Sequence, residues 1–289
     1  MSRALQRLPI MIVVALCGGY ASASEKLRFA VSPFQPTAGD TRKAYEPFFK
    51  HLAEKLGREY ELVVTTDWAG IAIALANKQA DIAWMGPWGY VLANNEGGAQ
   101  AIATVKYNGK PTYHSIIVAR HGTKFEKWPD DAKGLRMSFA DAGSTSGWLI
   151  PTHWFKTQGI DPKSYFRYRD GASHAAQVLS VVNEQTDLAT DFDRNLNSII
   201  ERGAIKPGDV KIVWQSEPLP NDPIVVRDGF DPALTKKVQE IILAITEEQA
   251  LTVMPKNYTC WVMATHADYK LIEAAGVSVG RLRPKAVAR

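Results

Sequence analysis

Apolar and polar positions along this 289-residue chain change period repeatedly. Runs of strand character at residues 27–31, 60–65 and 81–85 are separated by stretches in which apolar residues recur every three or four positions. Tyr45, Phe48, Phe49, Leu52 and Leu56 fall on one face of a helix that Gly57 ends, and residues 71–77 predict a second helix. Further strands are predicted at 113–120, 135–140 and 210–215, and further helices at 148–158, 175–183, 233–250 and 271–275. Short strands alternating with helices, uninterrupted by a Pro/Gly/Ser linker, argue an α/β fold.

One pattern repeats. Asn77-Lys78-Gln79-Ala80-Asp81-Ile82-Ala83 recurs as Asn183-Glu184-Gln185-Thr186-Asp187-Leu188-Ala189, each time after an apolar helix and before a strand. This predicts two similarly built lobes rather than one continuous sheet. The 113–120 strand carries the chain into the second lobe, and Pro218, Pro220 and Pro223 mark its return. Residues 24–115 and 218–289 then form lobe 1 and residues 116–217 form lobe 2. Two crossings leave a cleft between the lobes, a preferred place for a small molecule that hinge closure can bury.

Residues 1–23 stand apart from this pattern. Arg3 and Arg7 precede an apolar run at 8–16 and the small residues Ala21-Ser22-Ala23, which reads as a signal peptide cleaved after Ala23. The run is far shorter than the roughly 20 residues a membrane span needs. Lipid attachment at Cys17 is disfavoured because Leu16 stands where a small residue is expected. Cleavage leaves Cys260 as the one thiol, with no intramolecular disulfide partner, and beside Trp261 it reads as a small buried apolar residue.

Composition then narrows the function. With 46% hydrophobic and 22% charged residues the chain is neither disordered nor a disulfide scaffold. Its 34 Lys and Arg against 30 Asp and Glu become 32 against 30 once Arg3 and Arg7 are removed. Near-neutrality and the lack of a basic cluster exclude an electrostatic case for nucleic acid. No metal-ligand spacing and no cofactor motif is present, so none is expected.

The motif richest in chemistry is Asp141-Ala142-Gly143-Ser144-Thr145-Ser146-Gly147, between a predicted strand and a predicted helix. Hydroxyls at a helix start, beside unpaired N–H groups and the positive end of the dipole, suit a tetrahedral oxyanion. Ser144 or Thr145 as a plain helix cap is the alternative. Pro151 fits only in the first helical turn. His174, at the next helix start, can donate to the same anion or serve only as a cap. A secreted serine hydrolase or phosphoester-processing enzyme using Ser144 or Ser146 with His174 is a further alternative, but Gly-x-Ser-x-Gly is absent and no carboxylate is evident to orient His174.

Five stretches, Asp67-Trp68-Ala69-Gly70-Ile71, Asp81-Ile82-Ala83-Trp84-Met85-Gly86-Pro87, Tyr113-His114-Ser115, Ser144-Thr145-Ser146-Gly147 and Asn221-Asp222-Pro223-Ile224, occur in the order found in periplasmic phosphonate-binding proteins. The chain resembles these solute-binding subunits of ABC importers for phosphonate, phosphite or phosphate over nearly all of its mature length. The resemblance implies a type II-like, two-lobed periplasmic binding protein, monomeric and not an enzyme. Such a protein closes over its ligand and delivers it to a membrane permease; a sensor for a separate receptor is the other outcome. It implies phosphonate contacts from Ser144, Thr145, Ser146, His174 and Tyr113, with Trp68 where the family often has tyrosine and Tyr90 as a weaker pocket residue. Asp222 matches a carboxylate implied to receive the ammonium of 2-aminoethylphosphonate. The second such position holds Arg194, with Asp191 and Asp193 as nearby substitutes or as partners of Arg194 in a solvated turn.

Overall fold

A computed structural model describes residues 26–283. The signal-peptide reading of residues 1–23 and the question of Cys17 lie outside the described residues. Among the described residues no helix is long and apolar enough to cross a membrane.

Among the described residues, eleven strands form two mixed sheets. The six-stranded sheet runs in the order Tyr258–Met263, Gln100–Tyr107, Pro223–Val226, Ile82–Trp84, Leu27–Val31 and Tyr60–Val64. Its last three strands are parallel, and Pro223–Val226 lies antiparallel between Ile82–Trp84 and Gln100–Tyr107. The five-stranded sheet runs Val210–Gln215, Ser115–Arg120, Leu188–Phe192, Arg136–Ala140 and Arg167–Ala172. Between the sheets the predicted 113–120 strand breaks at His114, and its first part, Thr112–Tyr113, pairs with Leu219–Pro220. The outgoing and returning crossings therefore lie side by side as a two-stranded ribbon.

One face of each sheet builds a core of its own, and a third apolar cluster runs from one sheet to the other. Beside the first, the helix Ala38–Leu56 buries Tyr45, Phe48, Phe49 and Leu52 against Phe29, Trp84 and Trp261. Fully burying such side chains stabilises by about 1.5–3 kcal/mol each. Thr37 caps its start and Gly57, at φ 64°, its end. The predicted 233–250 helix is two, Pro232–Leu243 and Glu247–Val253, because Thr246 and Gln249 form a capping box that starts a second helix.

The repeated heptapeptide folds into the same device twice. Lys78 and Glu184 take the left-handed conformation, at φ 56° and 60°. The next acids reach back to the parallel neighbouring strand of their own sheet. Asp81 accepts from the backbone N–H and guanidinium of Arg28 at 2.8–3.0 Å, and Asp187 from the same groups of Arg136 at 2.7–3.1 Å. Each clamp ties a helix–turn unit to the strand beside it, a bidentate charge-assisted contact.

Candidate functional site

The strand Arg136–Ala140 ends at Asp141, whose carboxylate accepts from Gly143 N at 2.8 Å while its carbonyl accepts from Ser144 N at 2.8 Å. That tight turn aims the next residues into the cleft. Ser144 is extended, and its Oγ accepts from Gly147 N at 3.1 Å. Thr145–Leu149 form one turn of π-helix, closed by Leu149 N donating to the Ser144 carbonyl at 3.0 Å. The α-helix Ile150–Thr157 follows, with Pro151 in its first turn. Inserted π turns recur at functional sites because they shift side chains off the regular helical face. Ser144, Thr145 and Ser146 are all buried.

The other lobe meets this turn directly. Gly86 caps the helix Pro87–Gly97, and Trp88 N in its first turn donates to Thr145 Oγ1 at 2.8 Å. Trp88 Nε1 donates to the Ala142 carbonyl at 3.2 Å. Gly143 lies flat on the backbone opposite: a Cβ there would sit 2.6 Å from Ala69 N and 2.7 Å from Trp68 C. Only glycine permits that approach. Gly147 is equally confined, its Cβ position being 2.6 Å from His174 Cε1 and 2.4 Å from Ala140 Cβ.

His174 opens the helix His174–Val182 behind the Ser173 cap. Its Nε2 lies 3.0 Å from Ser144 Oγ and its Nδ1 3.1 Å from Asp191 Oδ1. Asp191 is wholly buried in the strand Leu188–Phe192, and both its oxygens also accept from Asn195 Nδ2 at 3.0 Å. Burial pushes the Asp191 carboxyl up, and the neighbouring His174 and Asn195 donors pull it back. The sequence reading found no carboxylate to orient His174; the fold supplies Asp191 from 17 positions downstream. Asp191 was a candidate only for the far end of the ligand; its contact with His174 joins a strand to the start of a helix and leaves no signature in residue spacing. Asp191, His174 and Ser144 share the connectivity of an orienting acid, a base and a hydroxyl. In this setting that connectivity fixes the imidazole and turns one ring nitrogen toward the Ser144 hydroxyl.

Between the lobes these groups line a narrow chamber, open on one side, with a cavity volume of about 10 Å³. Phe34, Trp68 and Gly86 line one side, and Ser144, Thr145, Ser146, His174 and Phe192 the other. Trp68 meets Phe34 edge-on at 5.1 Å and His174 at 6.0 Å between ring centres. Tyr113, Arg194 and Asp222 complete the lining. Burial raises the Tyr113 phenol well above its ordinary value, and the Asp222 charge adds to that, so it stays a neutral O–H near Thr145 and Ser146.

The acidic positions are arranged differently from the sequence expectation. Arg194 pairs with neither Asp191 nor Asp193 through its side chain. Its Nη2 donates to Asp222 Oδ2 at 3.0 Å, and both residues are buried. Burial pushes the Asp222 carboxyl up while the guanidinium pulls it back. Asp193 accepts from Arg194 N at 2.8 Å at the start of the helix Asp193–Glu201. Neither Asp191 nor Asp193 lines the chamber. Tyr90 is absent from the lining as well; it packs on Tyr269 and its hydroxyl lies 3.0 Å from His266 Nδ1. Phe34, Phe192 and Gly86 escaped the sequence reading because a lone aromatic or glycine carries no signal of which surface it will face.

Comparison with known proteins gives a consistent picture. The model of the family described as "ABC transporter, phosphonate, periplasmic substrate-binding protein" matches residues 29–269. The phosphonates-binding periplasmic protein of Escherichia coli (strain K12) is 28% identical over 203 residues, which span 69% of this chain and 60% of that protein. The phosphate-import protein PhnD of Mycolicibacterium smegmatis is 27% identical over 226 residues, 74% of this chain and 70% of its own length. The crystal structure of a binding protein component of an ABC phosphonate transporter from Pseudomonas aeruginosa superimposes with a TM-score of 0.79 at 23% identity, covering 90% of each chain. At that identity the likeness shows a shared fold.

Proposed function

Because the chain belongs to the phosphonate family of periplasmic substrate-binding proteins of ABC transporters, transport proteins rather than enzymes, we propose that it captures a small phosphorus oxyanion and delivers it to a membrane permease. The ligand is a phosphonate, phosphite or phosphate. Lobe 1, residues 24–115 and 218–289, and lobe 2, residues 116–217, close over it, and the closed monomer is the form the permease reads. Ser144, Thr145, Ser146, Tyr113 and His174 hold the oxyanion, with Trp68 as a wall. The observation that carries this reading is the meeting of two helix starts: the hydroxyl turn of one lobe faces Gly86 of the other across one small space that His174 and Tyr113 also line, and Trp88 N ties the two starts together through Thr145 Oγ1. Buried donors of fixed geometry bind an anion more strongly than mobile ones in water.

Calorimetric titration of the mature protein with phosphate, phosphite, methylphosphonate and 2-aminoethylphosphonate tests the proposal. Saturable binding of at least one is expected, and binding of none would sink it.

A further inference from the structure

Among the residues lining the chamber, one acid and one base are bonded to each other. Arg194 Nη2 holds Asp222 Oδ2 at 3.0 Å, so the single carboxylate facing this space already carries a tethered counter-ion. The guanidinium is also boxed in by aromatic rings. Its central carbon lies 4.5 Å from the centre of Tyr113, 5.2 Å from Phe192, 5.6 Å from Tyr107 and 5.8 Å from Tyr258, and Nη1 donates to Tyr258 Oη at 3.4 Å. A planar cation surrounded by π faces is held in place and cannot swing aside cheaply. One nitrogen has no partner at all: Arg194 Nε is buried and makes no hydrogen bond among the described residues.

We propose that Arg194 sets the ligand's chemical class, admitting a phosphorus oxyanion whose remaining group is small and uncharged or a hydrogen-bond acceptor, and rejecting one that carries an ammonium. The inference rests on the oxyanion reading above and adds what the other end of the ligand is. A ligand ammonium entering here finds a carboxylate neutralised by Arg194. To use Asp222 it must displace the guanidinium, which is then left buried without its counter-ion, a costly state. A carboxylate or an uncharged group meets no such obstacle, and an acceptor oxygen satisfies the spare N–H. Discrimination by leaving a charge unpaired in the wrong complex is a common way to build specificity.

The test compares ligands of similar size on the mature protein by calorimetry: methylphosphonate, phosphonoacetate and 2-aminoethylphosphonate, each with wild type and with Arg194→Gln. Wild type is expected to bind 2-aminoethylphosphonate at least tenfold more weakly than the better of the other two. Arg194→Gln releases Asp222 and is expected to shift the ratio at least tenfold toward the amine. Wild type binding 2-aminoethylphosphonate as tightly as the better of the others overturns the inference but leaves the oxyanion reading standing, and so does an unchanged ratio in a folded variant. Binding of none of the three while phosphate or phosphite binds overturns the inference alone, and binding of none of the five overturns both. If Arg194→Gln fails to fold, the wild-type order of phosphonoacetate against 2-aminoethylphosphonate decides, with the amine equal or ahead counting against.

Discussion

Ser144 is at once the ordinary helix cap and part of the chamber lining. Its Oγ accepts from Gly147 N and lies against His174 Nε2, so the two sequence readings of this serine are compatible rather than rival. Thr145 likewise spends its hydroxyl on the opposite lobe, accepting from Trp88 N. Ser144→Ala and Thr145→Val are each expected to weaken oxyanion binding by about 1–3 kcal/mol, the cost of losing a hydrogen bond in a buried polar site. Titration of both variants checks this, and undiminished affinity in both would return the motif to capping alone. The hydroxyl triplet and His174 were legible because helix starts have a local signature. Asp191 was not: its role depends on a hydrogen bond to the start of a different element, which no spacing rule encodes.

The repeat is the clearest element-scale result. Four shared residues in seven became two matching helix-turn-strand units, each with a left-handed residue and an aspartate clamped to arginine. Asp187 is held below the usual carboxylate range, first by the Arg136 guanidinium and then by Arg136 N, against some desolvation. A depressed folded value means that the unfolded chain takes up the proton first as pH falls. The clamp therefore stabilises fully above the unfolded value of about 4 and fades as pH drops toward the lower folded value. Asp187→Asn is expected to cost about 1–2 kcal/mol at neutral pH, a modest figure because the pair is partly solvated. Melting temperatures of wild type and variant, measured from pH 7 down to pH 3, should converge at the acid end; a gap that stays constant would remove the carboxylate's charge as its cause. Element boundaries were less legible where a cap interrupts a continuous apolar pattern, as at Thr246, although its Thr-x-x-Gln signature was present in the sequence.

At the scale of the molecule, the chamber exists only where the two lobes touch. Gly143 on Trp68 and Ala69, Trp88 Nε1 on Ala142, Trp88 N on Thr145 and Arg194 on Asp222 all join groups from different lobes. Gly143→Ala puts a methyl group into the Ala69 backbone, which has no side chain to move away. It is expected to hold the lobes apart and reduce affinity at least tenfold, about 1.4 kcal/mol. Small-angle scattering with and without saturating ligand should show contraction for wild type and little or none for the variant; an equal contraction would show that the approach at Gly143 is dispensable.

The sequence by itself determined the α/β class, the doubled architecture and the hydroxyl turn at a helix start. Each of these follows from periodicity, composition or capping, which are properties of neighbouring residues. It also displayed Arg194 at a position implied to be acidic. What that arginine does was decided only by tertiary structure, which sets it within a box of rings from four separate strands and against an aspartate 28 residues away. Burial is the physical reason: a charge on the surface is answered by water, whereas a charge in a closed cleft must be answered by whatever the fold brings to it.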